Sequence, residues 1–317
     1  MLHEIPLVTI AIPAYNHERY VKASIRSVLE QDYPRIELVL VDDGSHDDTW
    51  ATASELETEC RARLERVVFC RNESNQGTCD TLNRLCSMST GAYFMILASD
   101  DMLLPGAVSH LVKPMLDDPS VGVVVGRNRI MDGEGRICFW DENQNNVYDA
   151  DRAAYFDFNS YLKHCTDVDD RSVIFGDYAE LLKANYVVNG YLIRRNVLNR
   201  VLPFRKEAPL EDWWLHLQLV KMTQYRGIVY PTFLYRWHST NTAKQRERMI
   251  MISQRTLEFE EKLVFSMPDR KWRDIFEKVV YKKRRLWGVG GILYYEQIKA
   301  LGRKWHKLHV FGFCLPM

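Results

Sequence analysis

Residues 8–49 read VTIAIPAYNHERYVKASIRSVLEQDYPRIELVLVDDGSHDDT, and this stretch decides the fold class. It predicts a buried strand rich in β-branched residues over 7–15, an amphipathic helix over 18–31 and a second buried strand over 36–45. Two buried runs separated by one helix indicate parallel strands that are covered on both faces. The stretch therefore predicts the start of an α/β sheet.

The same alternation continues as far as residue 130. Further buried strands are predicted over 66–72, 93–98 and 121–130, and further helices from about residue 47, over 77–91 and from residue 105. The predicted fold is an α/β structure with a mainly parallel central sheet and helices on both faces. Ligands of such sheets bind beyond the carboxyl ends of the strands.

The second half of the chain is less regular. Residues 140–185 are polar, acidic and aromatic, and are predicted to form a surface excursion. A strand near 186–195, a helix over 210–221 and a strand over 228–238 follow, after which the chain is predicted to be helical and increasingly basic. We therefore predict a main domain over 1–245 and a basic, helical C-terminal extension over 246–317.

Composition and charge exclude several classes of protein. The 317 residues are 46% hydrophobic and 26% charged, which is globular, and no run of 18 apolar residues predicts a transmembrane helix. The seven cysteines are scattered without a C-x-x-C pair. Such a set is typical of reduced thiols in a cytosolic protein, not of a disulfide framework or a zinc site.

The basic residues are concentrated at the C-terminal end. Net charge is zero overall, but residues 270–317 contain 12 Lys/Arg and 3 Asp/Glu, a balance of +9. Basic side chains that alternate with Trp and aliphatic residues favour a helix lying on a membrane surface. Alternatively, the apolar residues pack on the main domain and the charges are only solvated. The acidic remainder of the chain argues against nucleic acid as a partner.

Two adjacent carboxylates follow the predicted strand over 93–98. Asp100 and Asp101 repel each other and are costly to bury unless a cation or hydrogen-bond donors compensate them. One Asp would be enough to cap the helix that begins near Pro105. No Gly-rich phosphate loop follows the first strand, so something other than a helix N-terminus must neutralise any phosphate, and the two acids could do so through a divalent cation. Taken alone, the segment is better explained by an ordinary cap and turn.

The stretch over 8–49 is followed in order by NQG (75–77), LNRLCSMSTGAYFMILASDD (82–101) and EDWW (211–214). This series resembles the large family of inverting glycosyltransferases with a GT-A fold (family 2), over roughly residues 7–240. The resemblance implies transfer of a sugar from a nucleotide diphosphate, expected to be a UDP-sugar, with Mn²⁺ or Mg²⁺ as cofactor. It further implies a lipid-linked glycan acceptor in bacterial surface polysaccharide (O-antigen or capsule) synthesis. The protein would then be cytoplasmic and peripheral on the inner membrane.

The resemblance assigns a group of residues to the donor nucleotide. The positions that it implies are Pro13, Ala14, Tyr15, Asp43, Asn75, Gly77, Ser99 and Asp100. Among them, Asp43 would accept a hydrogen bond from the base and Asp100 would contact the ribose. The preceding Asp42 either takes part in the pocket or only shapes the turn.

The metal and the diphosphate are assigned by the same resemblance. Asp101 would bind the metal, His238 is a second candidate ligand, and Arg236 with His238 would hold the departing diphosphate. Arg236 and His238 would face the same side of a strand, although a lone histidine is more often structural. Ala98 stands where many family members carry another Asp, which leaves the affinity for the metal open.

Inverting transfer also needs a base. A carboxylate must deprotonate the acceptor hydroxyl on the face opposite the leaving diphosphate. EDWW matches the family's ED motif, which makes Asp212 the catalytic base and Glu211 its neighbour in acceptor binding. Alternatively, both acids only favour the positive end of a helix. Trp213 and Trp214 would stack on sugar rings, or Trp214 would pack in the core.

Two other functions stay open on the sequence. A nucleotidyltransferase shares the sheet and the metal carboxylates, but it usually has a Gly-rich basic loop after the first strand, and PAYNHER (13–19) is not one. A non-catalytic subunit that binds sugar nucleotides is favoured by Ala98 and disfavoured by the presence of Asp101 and Asp212. No pattern indicates the identity of the sugar, the linkage or the oligomeric state.

Overall fold

The computed structural model describes residues 5–172 and 175–281, together with the backbone of 308–310 and 313–315. The strands are β1 (Val8–Ala14), β2 (Ile36–Asp42), β3 (Arg66–Arg71), β4 (Tyr93–Ile96), β5 (Met102–Leu103), β6 (Val121–Asp132), β7 (Ile137–Trp140), β8 (Asn146–Val147), β9 (Leu192–Arg194), β10 (Gln224–Trp237), β11 (Leu308–Val310) and β12 (Phe313–Leu315). The α-helices are α1 (Val21–Leu29), α2 (Thr49–Ser54), α3 (Glu57–Arg63), α4 (Thr78–Met88), α5 (Ala107–Asp117), α6 (Phe158–Thr166), α7 (Tyr178–Leu181), α8 (Arg195–Leu198), α9 (Glu211–Leu219), α10 (Arg246–Ser266) and α11 (Arg270–Phe276).

One sheet organises the molecule. Its strand order is β3-β2-β1-β4-β9-β6-β10-β5, and β7 and β8 continue it from β6. The pairs of β1 with β2 and β4, of β2 with β3 and of β6 with β10 are parallel, whereas β9 lies antiparallel between β4 and β6. The predicted α/β class with a mainly parallel sheet and helices is confirmed.

The two faces of the sheet carry separate hydrophobic cores. Because successive strand residues point to opposite faces, Ile10 and Ile12 pack with α1 and α5 on one face. Ala11 packs on the other face, together with side chains of α4, α9 and α10. This double coverage accounts for the continuous apolar runs in the sequence of β1 and β2.

The prediction of a surface excursion over 140–185 holds only in part, because most of residues 141–164 are exposed or half-buried but several aromatic side chains of the segment pack inward. Trp140 is fully buried, and its ring centroid lies 4.7 Å from that of Trp237 and 5.6 Å from that of Phe158. Together with Tyr155 and Tyr161, these rings form a third cluster against the ends of β6 and β10. The aromatic residues of the segment thus fold back over the sheet.

The C-terminal helices share the larger core. Residues of α10 and α11 that pack there with α9 are Met249, Ile252, Leu257, Val264 and Phe276, and Val280 follows in the π-helical turn Glu277–Tyr281. This corrects the membrane-surface prediction for residues 270–281, because their apolar side chains face the protein interior. The rest of that prediction, over 282–317, lies outside the residues whose side chains the structure describes. Over the described ranges, no helix is long and apolar enough to cross a membrane.

A buried ion pair joins α10 to the end of α9. The Nζ atom of Lys221 lies 2.5 Å from Oε1 of Glu260, and the two side chains are 5% and 0% exposed. Tyr178 donates a hydrogen bond to Oε1 of Glu260 (2.6 Å) and Gln218 donates one to its Oε2 (2.6 Å). Burial lowers the pKa of Lys221, and the charge of Glu260 opposes that shift. The carboxylate of Glu260 is therefore the centre of a polar network inside the core.

We expect the Glu260→Ala substitution to lower the free energy of unfolding by about 3–5 kcal/mol, because it leaves the buried charge of Lys221 without a partner. Glu258→Ala, at an exposed position of the same helix, is the matched control and should cost less than about 0.5 kcal/mol. Urea denaturation measures both. If Glu260→Ala lowers the free energy of unfolding by less than about 1 kcal/mol, this network is not a main stabilising contact of α10.

Candidate functional site

The loops that follow β1 and β2 are bound to each other at the carboxyl edge of the sheet. The backbone N–H of Asn16 donates to Oγ of Ser45 (2.9 Å), and the backbone N–H of His46 donates to Oδ1 of Asn16 (2.9 Å). The carbonyl oxygen of Ala14 accepts a hydrogen bond from the N–H of Asp43 (2.8 Å). The first two motifs of the sequence thus form one continuous rim, on which Tyr15 is exposed.

The two acids of VDDGS have different roles. Asp42 is fully buried, accepts hydrogen bonds from Ser45 and forms an ion pair with Nε of Arg71 (2.9 Å). Ser45 belongs to the same turn and Arg71 ends the neighbouring strand β3, so the contacts of Asp42 hold the turn in place. They agree with the alternative in which Asp42 shapes the turn.

Asp43 binds the third motif instead. Its Oδ1 accepts hydrogen bonds from Nδ2 of Asn72 (2.6 Å) and the N–H of Gln76 (2.8 Å), and its Oδ2 accepts one from the N–H of Gly77 (2.9 Å). Gly77 has φ = 86°, a conformation that favours glycine. The VDDGS and NQG motifs therefore lie side by side, with Asn75 exposed on the rim.

The acid pair lies between β4 and β5. Asp101 is 2% exposed, and its Oδ1 accepts a hydrogen bond from the backbone N–H of Arg236 (2.8 Å). Oδ2 of Asp100 lies 3.0 Å from Nε2 of His238. Ser99 is also buried, and its Oγ is 2.7 Å from Nδ1 of His17. The predicted residues Ser99, Asp100, Asp101 and His238 are thus brought together.

The electrostatics of the two acids differ. Burial raises the pKa of Asp101 well above its usual value, and the charge of Asp100 raises it further. Burial also works to raise the pKa of Asp100, but the hydrogen bond with His238 and the charges of His17 and His238 outweigh it, so that this pKa is lowered. The backbone N–H and the charge of Arg236 oppose the shift at Asp101 but do not cancel it. The pair therefore holds one carboxylate whose ionised form is favoured and one whose ionised form is disfavoured.

The prediction that Arg236 holds the diphosphate is not supported by its contacts. Its Nε donates to the carbonyl oxygen of Asp100 (2.6 Å), and its Nη1 lies 3.3 Å from the carbonyl oxygens of Asp132 and Gly133. The guanidinium also lies over the ring of Tyr20, 4.8 Å from its centroid. Nε and Nη1 are thus engaged by main-chain carbonyl groups, and Arg236 holds the loop of the acid pair. Its assignment to the diphosphate stays a prediction.

Asp212 faces a cavity of about 460 Å³ from the first turn of α9. Its Oδ1 accepts a hydrogen bond from the N–H of Trp213 (2.6 Å), and its Oδ2 accepts one from Nδ2 of Asn185 (3.1 Å). Burial raises the pKa of Asp212, and these two hydrogen bonds oppose the shift. Burial and the charge of Asp212 raise the pKa of Glu211. A carboxylate with a raised pKa in a cavity is suited to accept a proton.

Trp213 and Trp214 do not face this cavity. Their side chains are 0% and 3% exposed and lie in the larger core, and Nε1 of Trp213 donates to the carbonyl oxygen of Leu181 (2.8 Å). The prediction that they stack on sugar rings was therefore wrong, and the alternative of core packing holds for both.

Other aromatic residues line the cavity, and sequence reasoning missed them. They are Trp140, Phe158, Tyr161, Tyr235 and Trp237. Tyr235 lines this cavity, and the next residue of β10, Arg236, donates its backbone N–H to Asp101, so β10 connects the cavity to the acid pair. Burial raises the pKa of Tyr235, and the charges of Asp101, Asp100 and Asp212 contribute to that shift. The density of aromatic residues over 139–161 and in β10 was the signal that could have found this set.

The acid pair and His238 fit a divalent cation. Carboxylate oxygens and an imidazole are suitable donors for Mn²⁺ and Mg²⁺. Burial and the charge of Asp100 oppose ionisation of Asp101, and a bound cation would offset both effects. In the part of the chain that the structure describes, no three His, Cys, Asp or Glu side chains already form a cluster that could hold an ion. Donor phosphates would therefore have to complete the coordination.

The mainly parallel sheet with paired acids at its carboxyl edge is the architecture of GT-A proteins. The sequence profile of Glycosyl transferase family 2 matches residues 9–165. The chain belongs to this family. The chondroitin synthase of Escherichia coli is 35% identical over 136 residues, 43% of this chain and 19% of the relative. The chain spans less than half the length of the curated relatives that it matches first.

Solved structures agree on the fold. A mannosyltransferase from Pyrobaculum calidifontis in complex with GDP-Man and Mn²⁺ has a TM-score of 0.60 and 17% identity, over 94% of this chain and 81% of that one. S. aureus TarS 1–349 in complex with UDP-GlcNAc has a TM-score of 0.56 and 14% identity, over 88% and 73% of the two chains. At these identities the likeness shows the GT-A fold, which the sequence predicted.

Proposed function

We propose that this protein transfers a sugar from a UDP-sugar to a hydroxyl group of a glycan acceptor, with inversion at the anomeric carbon. The observation that carries the proposal is the placement of Asp212 in a cavity lined by aromatic rings, one of which, Tyr235, precedes the residue whose backbone N–H binds Asp101 of the acid pair. A base on one side and a diphosphate site on the other are the two requirements of a single displacement. Aromatic rings are suited to contact the apolar faces of sugars.

In this mechanism the rim binds the nucleotide and the cavity binds the acceptor. Tyr15 and the loop held by Asp43 contact the nucleobase of the donor, and Asp100 contacts its ribose. Asp43 already accepts three hydrogen bonds, so it supports the loop and retains lone pairs for one further donor. Asp212 accepts the proton of the acceptor hydroxyl as its oxygen attacks the anomeric carbon, and Glu211 stands beside it as an acceptor-binding neighbour.

Asp101, Asp100 and His238 would hold Mn²⁺ or Mg²⁺. When bound, the cation supplies positive charge that neutralises the diphosphate leaving group. The role of Arg236 in this step is to fix the main chain at Asp100, since its Nε donates to that carbonyl oxygen. The neighbours solved with GDP-Man and Mn²⁺ and with UDP-GlcNAc support a nucleotide-sugar donor and a divalent cation.

We place the reaction in bacterial surface polysaccharide synthesis on a lipid-linked acceptor, at the cytoplasmic face of the inner membrane. The support is the family, the relative named chondroitin synthase and the charge of residues 282–317, which contain 8 Lys/Arg and 1 Glu, a balance of +7. Each basic residue near anionic lipid contributes about 1 kcal/mol, so part of this charge would be sufficient for surface attachment.

Incubation of the protein with a panel of nucleotide sugars, a glycan acceptor and Mn²⁺ tests the proposed function. Release of a nucleoside diphosphate from one donor is the expected result, and its absence from every donor would contradict glycosyl transfer. A nucleotidyltransferase would instead act on a nucleoside triphosphate and release pyrophosphate. A non-catalytic subunit would bind a sugar nucleotide without turnover, which calorimetry detects.

Two truncated chains separate membrane attachment by residues 282–317 from folding of the core. We expect a chain ending at Tyr281 to fold like the full protein and to lose sedimentation with anionic vesicles at low salt. A chain ending at Asp269 also loses Phe276 and Val280, which are 0% and 4% exposed in the core. Loss of a buried Phe alone costs about 3–5 kcal/mol, so its melting temperature should fall sharply. Equal vesicle binding by the full chain and the chain ending at Tyr281 would contradict membrane attachment by 282–317.

A further inference from the structure

Asn185 reaches the cavity acid from the segment between α7 and β9. Its Nδ2 donates to Oδ2 of Asp212 (3.1 Å), and both residues line the same cavity. The described residues provide a second donor to this carboxylate, the backbone N–H of Trp213 (2.6 Å). A side-chain donor can be removed by substitution, whereas the backbone donor cannot, so Asn185 is the contact that a variant can test.

The orientation of the amide follows from the charge of its partner. Only the NH₂ group of an asparagine donates, and its carbonyl oxygen would repel an ionised carboxylate. With the NH₂ group facing Asp212, the opposite atom, Oδ1, is buried and has no hydrogen-bond partner among the residues that the structure describes. The carboxylate of Asp212 therefore receives a hydrogen bond, whereas the amide of Asn185 uses its NH₂ group and leaves its oxygen without a partner.

Packing does not account for this residue. A buried carbonyl oxygen without a partner costs stability, and an apolar side chain of similar volume, such as Leu, would avoid that cost. An unsatisfied buried group that is retained next to a reactive carboxylate is typical of a residue kept for function.

We propose that Asn185 is the positioning residue of the base: its N–H holds the carboxylate of Asp212 in the orientation and the ionised state that accept the proton of the acceptor hydroxyl. This inference rests on the proposed function and names a residue outside the motifs of the sequence. A hydrogen bond to the charged form of a carboxylate favours that form, which opposes the effect of burial at Asp212.

The other groups that face Asp212 do not replace this contact. Glu211 on the same helix is also acidic, so the two carboxylates disfavour each other's ionised form. Arg248 of α10 lowers the pKa of Glu211. Tyr191 and Tyr235 approach as phenols whose pKa burial raises well above the usual value, with the charge of Asp212 contributing to the shift. The basic side chains that line the same cavity belong to Lys244, between β10 and α10, and to Arg246, the first residue of α10.

The test uses the full chain, with Asn185→Leu as the variant and Asn199→Leu, at an exposed position of the turn after α8, as the matched control. We expect kcat of Asn185→Leu to fall about 10- to 100-fold, the loss expected for a base that is no longer held in place. The acid limb of its kcat–pH profile should move to higher pH, because Asp212 loses a donor that favours its ionised form. Part of the lost rate should therefore return at high pH.

Two further measurements separate positioning from a structural role. The dissociation constant of the nucleoside diphosphate should not change. The melting temperature should stay close to that of the wild type, because the substitution removes both the oxygen without a partner and the hydrogen bond to Asp212, and these two changes have opposite effects on stability. Wild-type kcat with an unchanged pH profile would overturn the inference. So would a loss of rate that follows losses of nucleotide affinity and melting temperature.

Asn185→Asp provides a near-isosteric second variant. It places a carboxylate beside Asp212, so the acid limb should move even further towards high pH. If both variants fail to fold, Asn185 is a packing requirement and the inference is wrong. Asp212→Asn separates this inference from the proposed function. If Asp212→Asn keeps wild-type activity, the proposed base fails; if it is inactive while Asn185→Leu is normal, only the inference fails.

Discussion

Replacing Asp101 with Asn is expected to lower donor turnover at least about 10³-fold. A cation that neutralises a leaving diphosphate stabilises the transition state by several kcal/mol. A change of about 1.36 kcal/mol in the activation free energy is a factor of ten in rate. Asn has the same shape and its Oδ1 can still accept the hydrogen bond from the N–H of Arg236. The substitution therefore removes the charge and leaves the local backbone contact in place.

The stability of Asp101→Asn gives a second readout that does not need turnover. Burial and the charge of Asp100 oppose ionisation of Asp101, so its replacement by a neutral amide should not lower the melting temperature in the absence of metal. Mn²⁺ together with the nucleoside diphosphate should raise the melting temperature of the wild type and leave that of the variant unchanged.

Asp117→Asn is the matched control, because Asp117 is an exposed acid that pairs with Lys113 on the surface of α5. It should behave as the wild type in both measurements. The metal assignment would be wrong if Asp101→Asn kept wild-type turnover, or if the wild-type enzyme were fully active in an excess of chelator.

Replacing Asp212 with Asn is expected to lower kcat by about 10²- to 10⁴-fold, the usual contribution of a general base. The amide oxygen can still accept the hydrogen bond from the N–H of Trp213, and the nucleotide rim is formed by other elements. Affinity for the nucleoside diphosphate should therefore stay within about twofold of the wild type. A loss of affinity as large as the loss of rate would show that Asp212 is structural.

The wild-type pH profile follows from the same carboxylate. Burial raises the pKa of Asp212, and the base works only when it is ionised, so kcat should rise with pH through an apparent pKa above that of an ordinary Asp. Glu211 titrates with it, so the measured value belongs to the pair. Asp212→Asn should lack this limb, and a limb of unchanged shape in the variant would assign the titration to another group.

The sequence of the first half of the chain contained most of the information about the sheet. Residues of β1 and β2 are buried on both faces, so their apolar runs are continuous, and the motifs follow directly where the strands end. That pattern locates Asp43, Asp100 and Asp101 at one edge without any knowledge of distant contacts. The orientation of β9 could not be predicted, because a three-residue strand carries no signal of its direction.

EDWW shows why the remaining site residues were harder to predict. Consecutive residues of a helix point about 100° apart, so four neighbours cannot all face one cavity. Which of them does so depends on the rotation of α9 against the sheet, and that rotation is set by packing over the whole core. Asp212 faces the cavity, whereas Trp213 and Trp214 point inward. The contacts of Arg236 likewise depend on loops more than 100 residues away in the chain.

The buried carboxylate of Glu260 has a mechanical consequence for catalysis. Asp212 is at the first turn of α9, and Gln218 and Lys221, at the other end of that helix, are the groups that Glu260 binds. A nine-residue helix is about 14 Å long, so a tilt of about 5° at the bound end moves the base by about 1 Å. A displacement of that size can cost a factor of about 10² in rate. The contacts of α10 with the far end of α9 thus help to fix the position of Asp212, the proposed base.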